Sequence, residues 1–292
     1  MHPPLARKLG VNLATIATER NGALLASTHS PDFLMGCVQA STEVKVVRLE
    51  YSQGKSRARS IDPDSLKRFL KRPLMRSANV VSGLFHDGVI VVESDNDRAF
   101  YNEIFYRLAE SEQSFPSVLF VNAQNKQTIR DIIGPLREFG VPAAAIVDLD
   151  IIKDGGKNWT QWLKAARVPD VLHNGLGQQR AEINSLFMAT GRDMATDGGV
   201  NLLRNSDLLA ANMFFDGIED FGIFTVRKGE LENWLSYLNI PGKKTDWAVA
   251  MLERLGSDPN EERYIKPRSD DVWEFLRKVV NWISNPARNG TI

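Results

Sequence analysis

The middle third of the chain alternates short apolar runs with longer amphipathic stretches. The apolar runs lie at 89–92, 117–121 and 143–147, and the amphipathic stretches lie at 97–109 and 126–139. Apolar runs of this length predict buried strands, and the amphipathic stretches between them predict helices that cover a sheet. The pattern therefore predicts an α/β fold with a mostly parallel sheet flanked by helices.

After this region, the pattern predicts a helical insertion and then a return to the sheet. Residues 158–216 carry apolar positions at helical spacing, over a length too great for a simple strand connection. Residues 222–226 predict a last strand, and 230–232 predict the start of the next helix, where acidic residues suit the helix dipole. Residues 241–292 predict two more helices, whose tryptophans we expect in the core.

Before the middle third, the pattern predicts a helix, a short strand and a hairpin. Prolines at positions 3 and 4 fit the first turn of a helix that ends near 21–22. The apolar run 23–26 predicts a short buried strand, followed by a turn at 27–31. Further on we expect a hairpin and a helix, with strands at 43–51 and 56–61, a turn at 53–54 and a helix start at Asp62.

Composition indicates a globular protein and limits its partners. With 292 residues, 43% of them hydrophobic, the chain can form about two domains of ~150 residues. Lys plus Arg and Asp plus Glu number 36 each, so a nucleic acid or an acidic membrane would need a local patch. The single cysteine, Cys37, can form neither an internal disulfide nor a cysteine-based zinc site. Without a long apolar run or a secretory signal, we expect a cytoplasmic protein without membrane contact.

Acidic residues directly follow two of the predicted strands. Glu93 and Asp97 follow the first strand, and Asp148 and Asp150 follow the third. The carboxyl ends of parallel strands lie at one edge of a sheet, so these four side chains can converge. Crowded carboxylates repel one another, and a hard divalent cation such as Mg²⁺ or Mn²⁺ is the usual counter-charge. One acidic loop is commonplace, but this combination predicts a metal site; we expect Asp95 in solvent.

One stretch of the chain is strongly basic, from the second half of the predicted hairpin through the helix that follows it. Such a stretch can follow a phosphate backbone, but it can equally be the solvated face of a helix, and both alternatives stay open. The candidate nucleic-acid-binding residues are Lys55, Arg57, Arg59, Lys67, Arg68, Lys71 and Arg72.

The order of acids and strands resembles a known domain. Strand-Glu-x-x-x-Asp, a strand-helix unit and strand-Asp-x-Asp resemble the Toprim domain, which topoisomerases, primases and some nucleases share. Within that group, the succession VVESDNDRAFY, VNAQNK and IVDLDII is similar to the overcoming-lysogenization-defect (OLD) family of ATP-dependent endonucleases. The resemblance implies a Toprim fold, DNA as the partner, a homodimer and a role in phage defence or DNA processing.

The N-terminal 40 residues resemble the end of an ABC-type ATPase domain. There, a His-Pro-Pro sequence precedes a strand that ends in STHSP, and His29 matches the histidine that contacts the γ-phosphate. No GxxxxGK[ST] phosphate loop or Walker B strand lies upstream. We therefore expect that this chain alone does not hydrolyse ATP, and that ATP acts only in a longer parent protein or through a separate ATPase or defence-system partner.

The two resemblances together suggest a domain organisation. The segments are 1–52 as the ATPase remnant, 53–86 as a basic connector, 87–157 and 217–240 as the Toprim core, 158–216 as its helical insertion and 241–292 as C-terminal helices.

The OLD resemblance also implies further site residues. The segment KGELE resembles the part that completes the metal site, which favours Glu232 and, after it, Glu230 as ligands, although helix starts collect acids without any metal. OLD nucleases also use a lysine late in the chain, near the scissile phosphate. Lys266 is the first candidate and Lys278 the second, and a surface lysine is the alternative for both.

These residues suggest a two-metal hydrolysis of phosphodiester bonds, with ions ~3.5 to 4 Å apart. Asp148 and Asp150 would hold one ion, Asp97 and Glu232 would help to hold the other, and Glu93 would bridge them or act as general base. The alternative function is a regulatory or assembly module of an ATPase, in which the acids hold one structural cation.

Overall fold

A computed structural model of the protein describes residues 2–52, 54–77 and 80–291. Gln53, where we place part of the hairpin turn, lies outside the described residues, and so does the side chain of Lys55. None of the helices in the described ranges is long and apolar enough to cross a membrane.

The N-terminal part contains a pair of helices, a hairpin and two more helices. Ser30 caps the second helix by accepting a hydrogen bond from the amide of Phe33, and Asp62 caps the third in the same way from Ser65. The predicted hairpin is confirmed, and so are the two predicted helix starts, at the N-terminal prolines and at Asp62. The elements are α1 (Pro3–Glu19), α2 (Pro31–Ala40), β1 (Val46–Ser52), β2 (Lys55–Ile61), α3 (Pro63–Lys71) and α4 (Pro73–Ser77).

The middle third folds as the pattern predicts, into strands that alternate with helices. Asn125 caps the second of these helices by accepting from the amide of Thr128. The elements are β3 (Gly88–Val92), α5 (Asp95–Ser111), β4 (Val118–Asn122), α6 (Lys126–Glu138) and β5 (Ala143–Asp148).

The last part contains the helices that we predict for 158–216, then a strand and two C-terminal helices. Its elements are α7 (Gly156–Ala165), α8 (Asp170–Ala189), α9 (Asn205–Glu219), β6 (Ile223–Val226), α10 (Lys244–Leu255) and α11 (Asp271–Ser284). The helices and the strand are confirmed, whereas the bounds of the six domain segments stay predictions.

Four parallel strands form the central sheet, in the order β4-β3-β5-β6. Val89 and Val91 belong to one hydrophobic cluster, together with residues of α6, α7 and α9. Ile90 and Val92 belong to a second cluster, together with residues of α5, α10 and α11. Because both faces are covered by helices, the strands are continuously apolar rather than alternating. The predicted α/β architecture with a parallel sheet is therefore confirmed.

Two predicted elements are wrong. Residues 23–26 form no strand, and Leu25 is 101% exposed, because none of the described strands runs beside this segment to pair with its backbone. Residues 230–232 do not open an α-helix: only a single 3₁₀ turn, Leu231–Asn233, follows β6. Leu235 and Asn239 take left-handed backbone conformations, which break the helical path before α10 begins.

Arg137, on α6, is fully buried and bonds to backbone groups from several segments. Its guanidinium donates to the carbonyl oxygens of Ala143, Ala166, Phe221, Gly222 and Gly290. Among the described residues no carboxylate forms an ion pair with it, and burial lowers its pKa to about 9. This side chain joins the start of two strands, the end of α7 and the C-terminal segment.

Helices α1 and α2 cross at two glycines. A Cβ atom on Gly36 would collide with the carbonyl oxygen of Arg7, and one on Gly10 would collide with that of Phe33. We expect Gly36→Ala to separate the helices and to cost about 2 kcal/mol or more of local stability, because the obstacle is backbone. Hydrogen exchange of α1 amides would measure the loss. Gly175→Ala, in α8, is the control: no atom lies within 4 Å of its added methyl, so it should leave exchange in α1 unchanged.

Candidate metal centre at the carboxyl edge of the sheet

The acids that follow β3 and β5 meet at the carboxyl edge of the sheet. Glu93 follows the last residue of β3, and Asp148 is the last residue of the neighbouring strand β5. The amide nitrogen of Asp148 donates to Oε1 of Glu93 over 3.4 Å. The two carboxylates therefore come from adjacent strands, as the sequence predicts for parallel pairing.

Asp97 reaches the same edge from the first turn of α5. Its Oδ2 accepts hydrogen bonds from the amide and the hydroxyl of Ser94, at 2.9 and 2.7 Å, while the hydroxyl of Ser94 accepts from the Asp97 amide. This reciprocal cap fixes the start of α5 beside the end of β3. Asp97 thus has a structural task in addition to its place at the edge.

Asp150 is paired with a lysine from the neighbouring unit. Nζ of Lys126, in the first turn of α6, lies 2.8 Å from Oδ1 of Asp150 and 3.8 Å from Oδ1 of Asp154. The side chain of Lys126 is only 14% exposed. Asp154 in turn accepts from Nε1 of Trp162 over 3.2 Å and from Nε2 of Gln127 over 3.4 Å, both at Oδ2.

Burial, and then repulsion between carboxylates, raises the pKa values of three acids at this edge, Asp148, Glu93 and Asp97. Burial, and then the charge of Glu93, raises the pKa of Asp148 to about 9. Burial, and then the charge of Asp150, raises the pKa of Glu93 to about 7. Burial also raises the pKa of Asp97. A second positive charge at this edge would stabilise the ionised forms of all three groups.

A buried tyrosine lies behind the acids. Tyr101, on α5, accepts a hydrogen bond from Nε1 of Trp234 over 2.8 Å. Its pKa is raised well above the usual value by burial and then by the charge of Asp97. Tyr101 therefore stays neutral and closes the apolar side of the site.

Glu230 and Glu232 lie at the rim of the same edge. Burial, and then the charge of Glu232, raises the pKa of Glu230, and the charge of Glu232 also raises the pKa of Asp97. Oε1 of Glu232 accepts a hydrogen bond from the amide of Lys244 over 2.6 Å, at the start of α10. Both residues are thus within electrostatic range of the central acids.

The donors fit a hard divalent cation in their chemistry, since all are carboxylates and burial and mutual repulsion raise the pKa of several. Within the described ranges, however, no three His, Cys, Asp or Glu side chains are arranged to hold a metal ion. Three of the candidate ligands instead contact groups of their own chain: Asp97 contacts Ser94, Asp150 contacts Lys126 and Glu232 contacts Lys244.

The structure does not bring the candidate lysines to this edge. Lys266 is exposed and follows Ile265, whose carbonyl oxygen accepts from Arg107. Arg107 lies ten residues beyond Asp97 on α5, which corresponds to about 15 Å of helix. Lys278 is exposed on α11, where its charge partly offsets the rise that burial causes in the pKa of Glu219.

The remaining candidates also lie elsewhere. His29 is exposed in the segment before α2. Arg68 and Arg72 line a groove of about 390 Å³ with Pro135 and Glu138, near the end of α6 opposite Lys126. The rest of the basic stretch lies on β2 and α3: Arg57 is exposed, Arg59 packs against Gly140, Lys67 pairs with Asp64 over 3.6 Å and Lys71 is exposed. The basic stretch is therefore separated from the acids by the length of α6.

Sequence reasoning missed Lys126, Asp154 and Tyr101. Lys126 is one residue past the cap of α6 in the segment VNAQNK, directly after β4, so its place at a strand's carboxyl end was a usable signal. Asp154 and Tyr101 are ordinary in the sequence, and only the tertiary contacts of Trp162 and Trp234 reveal them.

A family model matches the segment that carries most of the candidate site residues. Residues 84–150 match the model described as Overcoming lysogenization defect protein-like, TOPRIM domain. This Toprim segment contains Glu93, Asp97, Lys126, Asp148 and Asp150, and its parallel strands β3, β4 and β5 suit a Toprim domain. No curated protein matches the chain at a significant level.

The Toprim match indicates a broad class of function. Toprim domains commonly occur in nucleases, topoisomerases and primases, and they generally bind divalent metal ions. A Toprim segment with these acids therefore implies metal binding and a function of the nuclease or nucleotidyl-transfer type.

Proposed function

We propose that the protein is a metal-dependent DNA endonuclease that hydrolyses phosphodiester bonds at the carboxyl edge of its sheet. The observation that supports the proposal is the gathering of Glu93, Asp97, Asp148 and Asp150 on one edge of a Toprim-type sheet, where the pKa values of Glu93 and Asp148 rise to about 7 and about 9. Carboxylates held in this way require protons or a cation to offset their repulsion. Mg²⁺ or Mn²⁺ has the oxygen preference that this donor set satisfies.

In the proposed mechanism the acids have different tasks. Bound divalent cations would activate the attacking water and stabilise the charge on the leaving 3′ oxygen. Asp148 and Asp150 would hold one cation, and Asp97 with Glu232 would help to hold a second, with Glu230 at the rim. Glu93 would bridge the two positions or accept the proton of the attacking water.

The test is cleavage of supercoiled plasmid DNA in Mn²⁺ or Mg²⁺. We expect the wild-type chain to nick the plasmid, and we expect Glu93→Ala and Asp148→Ala to reduce the rate at least about 100-fold. Asp131→Ala is the matched control, since Asp131 is an exposed acid on α6, outside the set of candidate ligands. Cleavage at wild-type rates by both site variants would refute the assignment.

A regulatory or assembly module is the competing function, and one observation favours it. Asp97 caps α5 through Ser94, and Glu232 binds the amide of Lys244, so two of the candidate ligands already serve the fold. If the chain binds Mn²⁺ at one closed site and leaves plasmid DNA intact, this second function is the correct one.

The wider setting is also a proposal. By resemblance to OLD nucleases, we propose that the chain acts in phage defence or DNA processing, as a homodimer in the cytoplasm. We further propose that ATP acts through an ATPase part in a longer parent protein or a separate partner, where His29 would sense the γ-phosphate. The basic residues of β2 and α3 would then contact DNA away from the cleavage point.

A further inference from the structure

We propose that Lys126 is a built-in competitor for the metal centre: it pairs with Asp150 in the metal-free chain and moves to Asp154 when a divalent cation binds. This inference rests on the proposed metal site but goes beyond it, because it assigns a switching role to a residue pair outside the candidate ligands.

The first step of the argument is the position of Lys126. Its ammonium group lies 2.8 Å from Oδ1 of Asp150 and 3.4 Å from the backbone carbonyl oxygen of the same residue. With only 14% of its side chain exposed, Lys126 is held by the fold rather than free in solvent. A cation bound at the Oδ1 atom of Asp150 would repel this ammonium group at close range, which favours displacement of the lysine from Asp150.

The second step is that an alternative acceptor is already in place. Oδ1 of Asp154 lies 3.8 Å from Nζ of Lys126, so a shift of about 1 Å would complete a hydrogen bond at the usual distance of about 2.8 Å. Asp154 cannot turn away easily, because Trp162 and Gln127 donate to its other oxygen. Its side chain is only 11% exposed, so solvent does not replace the lysine there.

The third step is that helices α6 and α7 fix the positions of Lys126 and Asp154. Trp162 is fully buried on α7, and Asp154 lies just before that helix. Lys126 belongs to the first turn of α6, which Asn125 caps. Asp150 and Asp154 thus lie at the two ends of one short 3₁₀ segment, Leu149–Lys153, and both are within 4 Å of the same ammonium group, as a two-position switch requires.

The affinity of the full chain for Mn²⁺ tests the proposal without any activity measurement. Calorimetry or the EPR signal of free Mn²⁺ would measure it. Lys126→Gln removes the competitor, and we expect it to tighten Mn²⁺ binding about fivefold. Asp154→Asn removes the alternative acceptor, leaves Lys126 on Asp150, and should weaken binding about fivefold.

Two controls separate the switch from a general change of charge. Arg130→Gln makes the same charge change one turn along α6, where the guanidinium donates to the carbonyl oxygen of Asn158. Asp131→Asn is the matching control for Asp154→Asn, at an exposed position. Both controls should change the affinity less than about twofold, because screening weakens the effect of exposed charges.

The double variant Lys126→Gln/Asp154→Asn distinguishes a switch from independent electrostatic effects of the two charges on the bound cation. If Lys126 must move to Asp154, then Asp154→Asn has no further effect once Lys126 is gone, and the double variant should bind Mn²⁺ as tightly as Lys126→Gln. Independent electrostatic effects would instead add and return the affinity to the wild-type value. Additivity would overturn the inference, and so would equal affinities of Lys126→Gln and Arg130→Gln.

The result also separates this inference from the proposed function. If the wild-type chain binds no Mn²⁺, or if Glu93→Gln and Asp148→Asn bind it as well as wild type, the metal site itself is wrong and the switch falls with it. If those two variants lose Mn²⁺ while the Lys126 and Asp154 variants match their controls, the metal site stands and only the switch is refuted.

Discussion

Asp148→Asn is expected to raise the melting temperature of the metal-free protein at pH 8 by about 5 °C, equivalent to about 2 kcal/mol of stability. Burial and the charge of Glu93 raise the pKa of Asp148 to about 9 in the folded chain, from a model-peptide value of 3.8. At pH 8 folding must therefore take up a proton or bury a charge among other charges. Asparagine is nearly isosteric and needs neither.

The sign of the pH dependence follows from the proton count. Between about pH 4 and about pH 9 the folded state binds the Asp148 proton and the unfolded state does not, so stability falls as pH rises through this window. Glu93, with its pKa raised from 4.5 to about 7, adds to the fall between those values. The advantage of Asp148→Asn should accordingly be largest at pH 8 and vanish near pH 4.

Thermal unfolding in EDTA, at pH values from 4 to 8, measures this prediction, with Asp131→Asn as the exposed control. Added Mn²⁺ should stabilise the wild-type chain and leave Asp148→Asn unchanged, since the variant lacks a ligand. A variant that melts below the wild type in EDTA at pH 8 would contradict the placement of Asp148 among crowded acids.

Arg137→Ala should destabilise the protein by about 3 kcal/mol or more, the largest loss that we expect from a single side chain. The substitution removes the guanidinium that donates to carbonyl oxygens of five residues, of which Gly222 keeps the amide of Ala145 as a donor, and it empties a fully buried space. Those carbonyls belong to β5, the end of α7, the residues before β6 and the C-terminal segment, so the loss should spread across the sheet.

Urea unfolding would measure this loss, and Arg130→Ala provides the comparison on the same helix. Arg130 is partly exposed and donates to one carbonyl oxygen, so its removal should cost less than about 1 kcal/mol. Comparable midpoints for the two variants would mean that the buried bonds of Arg137 contribute no more than a surface contact.

The sheet could be predicted because its strands are buried on both faces. Val89 to Val92 have no exposed side chain, so the run is apolar at every position and stands out from its surroundings. The acids after β3 and β5 could be predicted to converge for the same reason, since parallel pairing leaves one edge for all carboxyl ends. Their roles as ligands stay predictions.

Other features depended on contacts that local sequence does not contain. The apolar run 23–26 resembles a buried strand, but it lacks a neighbouring strand among the described elements, and Leu25 lies in solvent. Glu230 and Glu232 resemble a helix start, but left-handed residues interrupt the path, and Glu232 caps α10 instead. The sequence places Lys126 after a strand's carboxyl end, but its pairing with Asp150 and Asp154 is visible only in the tertiary structure.

The long connection between β5 and β6 has a consequence for synthesis on the ribosome. Ala145 pairs with Ile223, so β5 keeps an open edge until α7, α8 and α9 have been made and β6 has emerged. An open edge can pair with other chains, which makes this interval the period of greatest risk of aggregation. Because the three helices form from local contacts, they shorten the loop that β6 must close. A nascent chain halted before residue 223 would thus carry the central acids on an unfinished sheet.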